Sequence, residues 1–174
     1  MSVTFPQIKT DRLLLRQLNL NDIDDLFELR YHDDVIKFIA RKKTNNKNSI
    51  KQFIIDRNED VAIGKIMFWA IQQKGESKLI GTISLWSFNE TKTIAEVGYE
   101  LQPDCHNKGF MSEALEAVLE FGYAKLKIEA IEAFTDKNNT NSQLLLEKFN
   151  FKYEANRTDE GFPNNRIYIK NKKT

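Results

Sequence analysis

The stretch "AEVGYELQPDCHNKGFMSEAL", residues 95–115, decides how the chain is read. Its first part alternates apolar and polar residues as a half-buried strand does, and its last part opens a run with apolar residues at helical spacing. Pro103 ends strand pairing because it has no N–H to donate. Gly98, inside the strand, marks either a bulge or a close approach by another segment. Gly109, at the helix entrance, permits positive φ or lets a ligand come near the main chain. The first N–H groups of a helix lack intrahelical partners and carry the positive end of its dipole. "CHNKGFMSEAL" therefore reads either as an ordinary turn and cap or as a cradle for an anion, with Lys108 adding charge. The strand before it reads either as an edge strand ending in a turn or as a splayed strand. In the second case its free N–H and C=O groups would pair with the amides of an extended ligand.

Upstream of this stretch, "IMFWAIQQ", "KLIGTISLWSF" and "TIAEVGYELQ" are rich in β-branched and aromatic residues and are separated by polar turns, which predicts an antiparallel meander. "TDRLLLRQL", residues 10–18, predicts a first strand with Leu13 and Leu15 on one face. A helix follows, with Asn21 as N-cap and Ile23, Leu26, Phe27 and Arg30 at helical spacing. Residues 41–60 start as a basic loop and become a second helix through Ile50, Phe53 and Ile54. Downstream, Met111, Leu115, Val118, Gly122 and Leu126 share a helical face, "AIEAFT" is a strand and "TNSQLLLEKFN" a helix. "FKYEANRT" and "EGFPNNRIYIK" form a closing hairpin. The order predicts a mixed α+β or α/β sheet in one domain spanning residues 1–174.

The composition removes several function classes. The 26 Lys and Arg against 25 Asp and Glu give a net charge of +1, which supplies no field for nucleic acid or a membrane surface. The terminal "KNKKT" reads as a solvated tail. A single cysteine, no leader pattern and no apolar run of spanning length point to a cytoplasmic setting. Cys105, His32 and His106 show no metal-ligand spacing, so no metal is expected. His32 reads as a partnerless surface residue of a helix, and Phe68, Trp69, Trp86 and Phe88 as core or sheet-face aromatics.

Four ordered blocks together resemble the GNAT family of N-acetyltransferases, and within it the branch of ribosomal-protein N-terminal acetyltransferases. They are "TDRLLLRQLNLNDIDDLFEL", "LIGTISLWSF", "AEVGYELQPDCHNKGFMSEAL" and "TDKNNTNSQLLLEKFNF", and they cover nearly the whole chain. The resemblance implies a mostly antiparallel seven-stranded sheet splayed at strands 4 and 5, with four main helices. It implies acetyl-CoA as co-substrate, its pyrophosphate held by the loop of His106, Asn107, Lys108, Gly109, Phe110 and Met111, with Ser112 in the first helical turn. Tyr99, Glu100, Leu101 and Gln102 would then pair with the pantetheine amides, and Asn139 and Ser142 would contact the pantetheine arm and thiol end. The chain departs from the family pattern at His106 in place of Gln or Arg, at Met111 in place of Gly or Ala, and at Asn150 in place of Gly. Asn tolerates the left-handed conformation better than other non-glycine residues, so the last change is mild.

Acyl transfer to an amine needs the neutral amine, and hence a proton acceptor. Glu96 and Glu100 lie on one face of the strand with Gly98; Glu96 is the stronger candidate base, and the alternative is a solvated or ion-paired carboxylate. Many relatives supply a tyrosine acid at the position of Leu146, so Ser142 is the candidate donor to the departing thiol. No base stands at readable spacing to Cys105, which favours direct attack in a ternary complex over an acetyl-cysteine intermediate. The resemblance implies a protein N-terminal amine as acceptor. A polyamine or aminoglycoside acetyltransferase and a non-catalytic acyl-CoA-binding module are the alternatives, and a homodimer is compatible with all of them.

Overall fold

In the computed structural model, residues 5–39 and 46–173 are described. The basic loop expected from residue 41 falls outside them. Eight strands form one sheet in the order β1-β2-β3-β4-β5-β6-β8-β7. They are β1 (Ile8–Lys9), β2 (Leu13–Arg16), β3 (Met67–Gln73), β4 (Leu79–Trp86), β5 (Ile94–Leu101), β6 (Ala130–Asp136), β7 (Lys152–Tyr153) and β8 (Asn165–Asn171). The helices are α1 (Ile23–Tyr31), α2 (Asp33–Ile36), α3 (Lys47–Ala62), α4 (Phe110–Ala124) and α5 (Thr140–Lys148). The sheet exceeds the expected seven strands by the two-residue β1, which pairs with β2 through Ile8↔Leu15 and Lys9↔Leu14. Two residues are too few to show an alternating pattern, so β1 left no signal. The four main helices are joined by the single turn of α2.

Burial explains the layers. Leu13 and Leu15 share one face of β2 and are both fully buried. They join Trp69, Ile71, Ile83, Leu85 and Val97 beneath Ala114, Leu115 and Val118 of α4. The opposite sheet face is covered by α1 and α3, where Leu26, Leu29, Ile50 and Ile54 pack with Ala70 and Leu79. The side chains of Ala95 and Val97 belong to the α4 layer, so Glu96, Gly98 and Glu100 face the α1–α3 side.

Local sequence chemistry sets the element ends. The cap of the first helical segment is Asn19, two residues before the expected Asn21. A 3₁₀ turn, Leu20–Asp22, precedes α1, and Asn19 Oδ1 accepts from the Asn21 N–H. The buried Asp22 accepts from the Asn19 N–H and from both Nη atoms of Arg16, at 2.8 and 2.7 Å, and this pairing pulls the cap upstream. At the end of α5, Asn150 has φ of 61°. Its N–H donates to the Glu147 carbonyl, while Phe151 N–H reaches back to Leu146, a Schellman closure with Leu146 and Phe151 both buried. Asn150→Ala is expected to cost about 1 kcal/mol in urea unfolding, since alanine lacks asparagine's tolerance of this conformation. An unchanged midpoint would remove Asn150 from that role.

Candidate active site

β5 and β6 run parallel and pair at Ile94↔Ala130, Ala95↔Ile131 and Glu96↔Glu132. On its other edge β5 stays paired with β4 as far as Gly81↔Leu101. From Val97 onward, β5 therefore borders an open wedge. The Gln102 N–H donates to Ile80 of β4 at 2.8 Å. Main-chain groups alternate sides along a strand, so those of Val97, Tyr99 and Leu101 face the wedge. No bulge at Gly98 causes the splay, because the β4–β5 register is continuous through Ser84↔Gly98. Nor does a close approach require glycine there: a Cβ on Gly98 would make only ordinary contacts, 3.4 Å to Ser84 Oγ and 3.5 Å to Trp86 Nε1. Trp86 is a sheet-face aromatic, 44% exposed, and not part of the core.

The wedge opens into a cleft of about 660 Å³. β5 contributes Tyr99, Glu100 and Leu101 to its lining, and the loop contributes His106, Asn107 and Gly109. Phe110, Met111 and Ser112 line it from the start of α4, and Asn139 and Ser142 from the start of α5. Residues far apart in sequence thus meet in one place. Gln102 and Lys108 stand apart from them. Gln102 is 4% exposed, and its N–H is used by β4. The Lys108 carbonyl is taken by Arg12. Met111 both lines the cleft and packs against the core, so the bulky residue is accommodated by a half-buried site.

The loop geometry leaves donors free. A 3₁₀ turn, Pro103–Cys105, follows β5, and Asn107 and Gly109 then take φ of 59° and 78°. The helix hydrogen bond at this end runs from Glu113 N–H to Gly109 C=O at 3.1 Å, and Gly109 has no side chain to cap the helix. The N–H groups of Phe110, Met111 and Ser112 consequently point out of the helix start. A Cβ on Gly109 would meet Arg12 Nη2 at 3.3 Å, so both conformation and space favour glycine there.

Arg12 braces this loop, a role that the sequence reading missed. Its Nη1 donates to the Lys108 carbonyl at 2.9 Å and its Nε to Glu113 Oε2 at 2.7 Å. The Arg12 N–H and Thr10 Oγ1 both donate to Glu113 Oε1, at 2.7 and 2.6 Å. Burial pushes the Glu113 carboxyl up, but the hydrogen bonds from Thr10 and Arg12 outweigh it and hold the group below its usual range. Arg12 and Lys108 are 96 residues apart in sequence, so no local pattern signals the contact. Arg12→Ala is expected to raise the KM for acetyl-CoA about 10-fold, the equivalent of one charge-assisted hydrogen bond, with a smaller change in kcat. An unaltered KM in steady-state kinetics would show that the brace does not shape the cradle.

Two sets of polar side chains border the wedge. Glu96 sits at the last paired position of β5 and β6, at the floor of the wedge and outside its lining. Desolvation, then the charges of Asp159 and Glu132, push its carboxyl up to about 7. It shares a sheet face with Gly98, about 7 Å farther along the strand, which lines the cleft. On the α5 side, Tyr99 Oη and Ser142 Oγ are 2.8 Å apart. Asn139 caps α5 by accepting the Ser142 N–H at 3.2 Å. Leu146 is fully buried and does not line the cleft.

Cys105, which also lines the cleft, and His32 both have local hydrogen-bond partners. Cys105 is 7% exposed, and burial, followed by its hydrogen bond with Asp104, pushes its thiol up, which keeps it protonated. His32 is neither inside a helix nor partnerless: it caps α2, its Nδ1 accepting from the Asp34 N–H at 3.2 Å. Among the described residues no group of His, Cys, Asp and Glu is placed to hold a metal ion, and no helix is long and apolar enough to cross a membrane.

The wedge, the uncapped helix start and the glycine at its entrance form a site suited to an extended ligand with an anionic group, and comparison with known proteins gives the family. Residues 12–152 match the family described as acetyltransferase (GNAT) domain. The chain belongs to that family and is an acetyl-CoA-dependent N-acetyltransferase. It is 31% identical over 154 residues to the uncharacterized N-acetyltransferase YoaA of Bacillus subtilis, covering 87% of this chain and 85% of that one. A GNAT-family acetyltransferase from Bacillus anthracis superposes with a TM-score of 0.81 at 25% identity, covering 95% of this chain and 98% of that one. RimL, a ribosomal alpha-N-protein acetyltransferase in complex with coenzyme A, has the same fold, with a TM-score of 0.83 at 15% identity over 95% of this chain and 98% of that one.

Proposed function

We propose that this enzyme acetylates a protein or peptide N-terminal amine by direct attack within the wedge between β5 and β6. The residues present fit acetyl-CoA. The free N–H groups of Phe110, Met111 and Ser112 suit a pyrophosphate, and the wedge-facing main chain of Val97, Tyr99 and Leu101 suits the pantetheine amides. His106 Nε2 lies 2.9 Å from the Leu101 carbonyl, so its side chain is part of that wall. Bound there, acetyl-CoA supplies a thioester whose acyl carbon is open to an amine.

The observation that carries the choice of acceptor is the Glu96 carboxyl at about 7. An α-ammonium has a reference pKa of about 7.7 to 8.0, close to this base, whereas a lysine ammonium, at about 10.4, lies more than three units above it. A general base works best with a pKa near the working pH, and a smaller gap to the ammonium makes the proton transfer less uphill. Glu96 takes the ammonium proton on its carboxylate, directly or through one water. Ser142 Oγ directs a hydrogen bond to the thiol end. Cys105, protonated and buried, takes no part. The fold shared with an alpha-N-protein acetyltransferase supports the same acceptor.

Thiol release from acetyl-CoA across peptides with free N-termini, polyamines and aminoglycosides tests this reading. Release is expected with the peptides. Turnover confined to polyamines or aminoglycosides would assign the acceptor to a small amine instead.

A further inference from the structure

Leu146 is buried in the core, so the wedge has no tyrosine from α5, yet a tyrosine does stand in it. Tyr99 comes from β5, across the wedge from Ser142, and among the described residues its phenol has Ser142 Oγ, 2.8 Å away, as its side-chain hydrogen-bond partner. Both residues line the cleft. We infer that Tyr99 is a positioning residue that donates its O–H to Ser142 Oγ and so leaves the Ser142 proton free to point into the cleft at the departing sulfur. The inference rests on the acetyl-CoA reading above.

The chemistry of the two hydroxyls favours this direction of the hydrogen bond. A phenol is a stronger acid, and hence a better donor, than an aliphatic hydroxyl, whose oxygen is in turn the better acceptor. Burial also pushes the Tyr99 phenol up to about 12, against a smaller opposing effect of Ser142, so the O–H stays on the ring at every working pH. Tyr99 is therefore a fixed donor and not an acid that ionises in turnover. Ser142 is itself held on the first turn of α5, where its N–H is engaged by Asn139. With the main chain of Ser142 fixed by the cap and its Oγ accepting from Tyr99, its own proton is left to donate elsewhere.

A double-mutant cycle on the full chain tests the pairing. Tyr99→Phe keeps the ring and is expected to lower kcat about 3- to 10-fold, the worth of one neutral hydrogen bond, with the KM for acetyl-CoA within about twofold of the parent. In a Ser142→Ala background the same replacement is expected to cost nothing further. Equal losses in the two backgrounds, or an unchanged kcat in Tyr99→Phe, would overturn the inference. A readout independent of turnover, and of the folding of Tyr99→Phe, is the ring-carbon NMR resonance of Tyr99 in labelled protein. It is expected to move in Ser142→Ala, and an unmoved resonance would equally overturn the pairing. Calorimetry with CoA separates the two levels. No binding by the parent protein removes the acetyl-CoA reading and this inference with it, whereas binding with independent effects in the two backgrounds removes only the inference.

Discussion

Gly109→Glu is expected to abolish measurable acetyl-CoA binding, with a loss of at least about 100-fold in affinity, or roughly 3 kcal/mol. Three effects add up at this position. The residue has φ of 78°, which costs a non-glycine residue roughly 1–2 kcal/mol. A Cβ would also crowd Arg12 Nη2 at 3.3 Å and press on the guanidinium that holds the Lys108 carbonyl and Glu113. Finally, a carboxylate would stand at the positive end of α4, where the cofactor's phosphates are to sit, and would satisfy the free N–H groups in their place. Calorimetric titration with CoA, alongside thermal melting to confirm the fold, measures the effect. A folded protein that binds CoA as the parent does would mean that the pyrophosphate lies elsewhere.

Glu96→Gln is expected to lower kcat/KM about 100-fold or more while making the protein more stable at pH 8. The two effects have one cause. The folded carboxyl titrates at about 7 because it is desolvated and faces Asp159 and Glu132, whereas an unfolded glutamate titrates near 4.3. Its contribution to stability is fully present below the unfolded value and is lost as pH rises from there through about 7. Neutral glutamine avoids that loss, so the difference in melting temperature between variant and parent should grow from pH 5 to pH 8. In the parent, kcat/KM should rise with pH to a limb near 7, and the variant should lack that limb. A glutamate that served only as an ion-pair partner would show the reverse, with stability falling on replacement and the rate profile intact.

Most of the fold could be read from the sequence because the long elements carry strong periodic patterns. Leu13 and Leu15 alternate on β2, and the apolar residues of α4 recur on one face. What escaped was short or was decided by distant contacts. β1 has two residues, and the shift of the cap from Asn21 to Asn19 depends on Arg16 reaching Asp22. The candidate site divides the same way. Gly109, Asn107 and the start of α4 announced themselves because turn chemistry is local, and Asn150 did so for the same reason. Arg12 did not, and Tyr99 stood out only for its main chain, not for its side chain. Their roles depend on side chains meeting across the sheet, Arg12 with a loop 96 residues away and Tyr99 with Ser142, 43 residues away. Gly98 suggested a bulge or a close approach, and the structure shows neither, since the register is continuous and a Cβ would find ordinary room beside Ser84 and Trp86.

If the wedge carries an acetyl group to an α-amine, the position of the acetyl group on one peptide will show it. A peptide with a free N-terminus and one internal lysine, incubated with enzyme and acetyl-CoA at neutral pH, should carry a single acetyl group on its N-terminal nitrogen when fragmented in a mass spectrometer. An acetyl group on the lysine with the N-terminus left free would contradict an α-amine acceptor and the role given to Glu96.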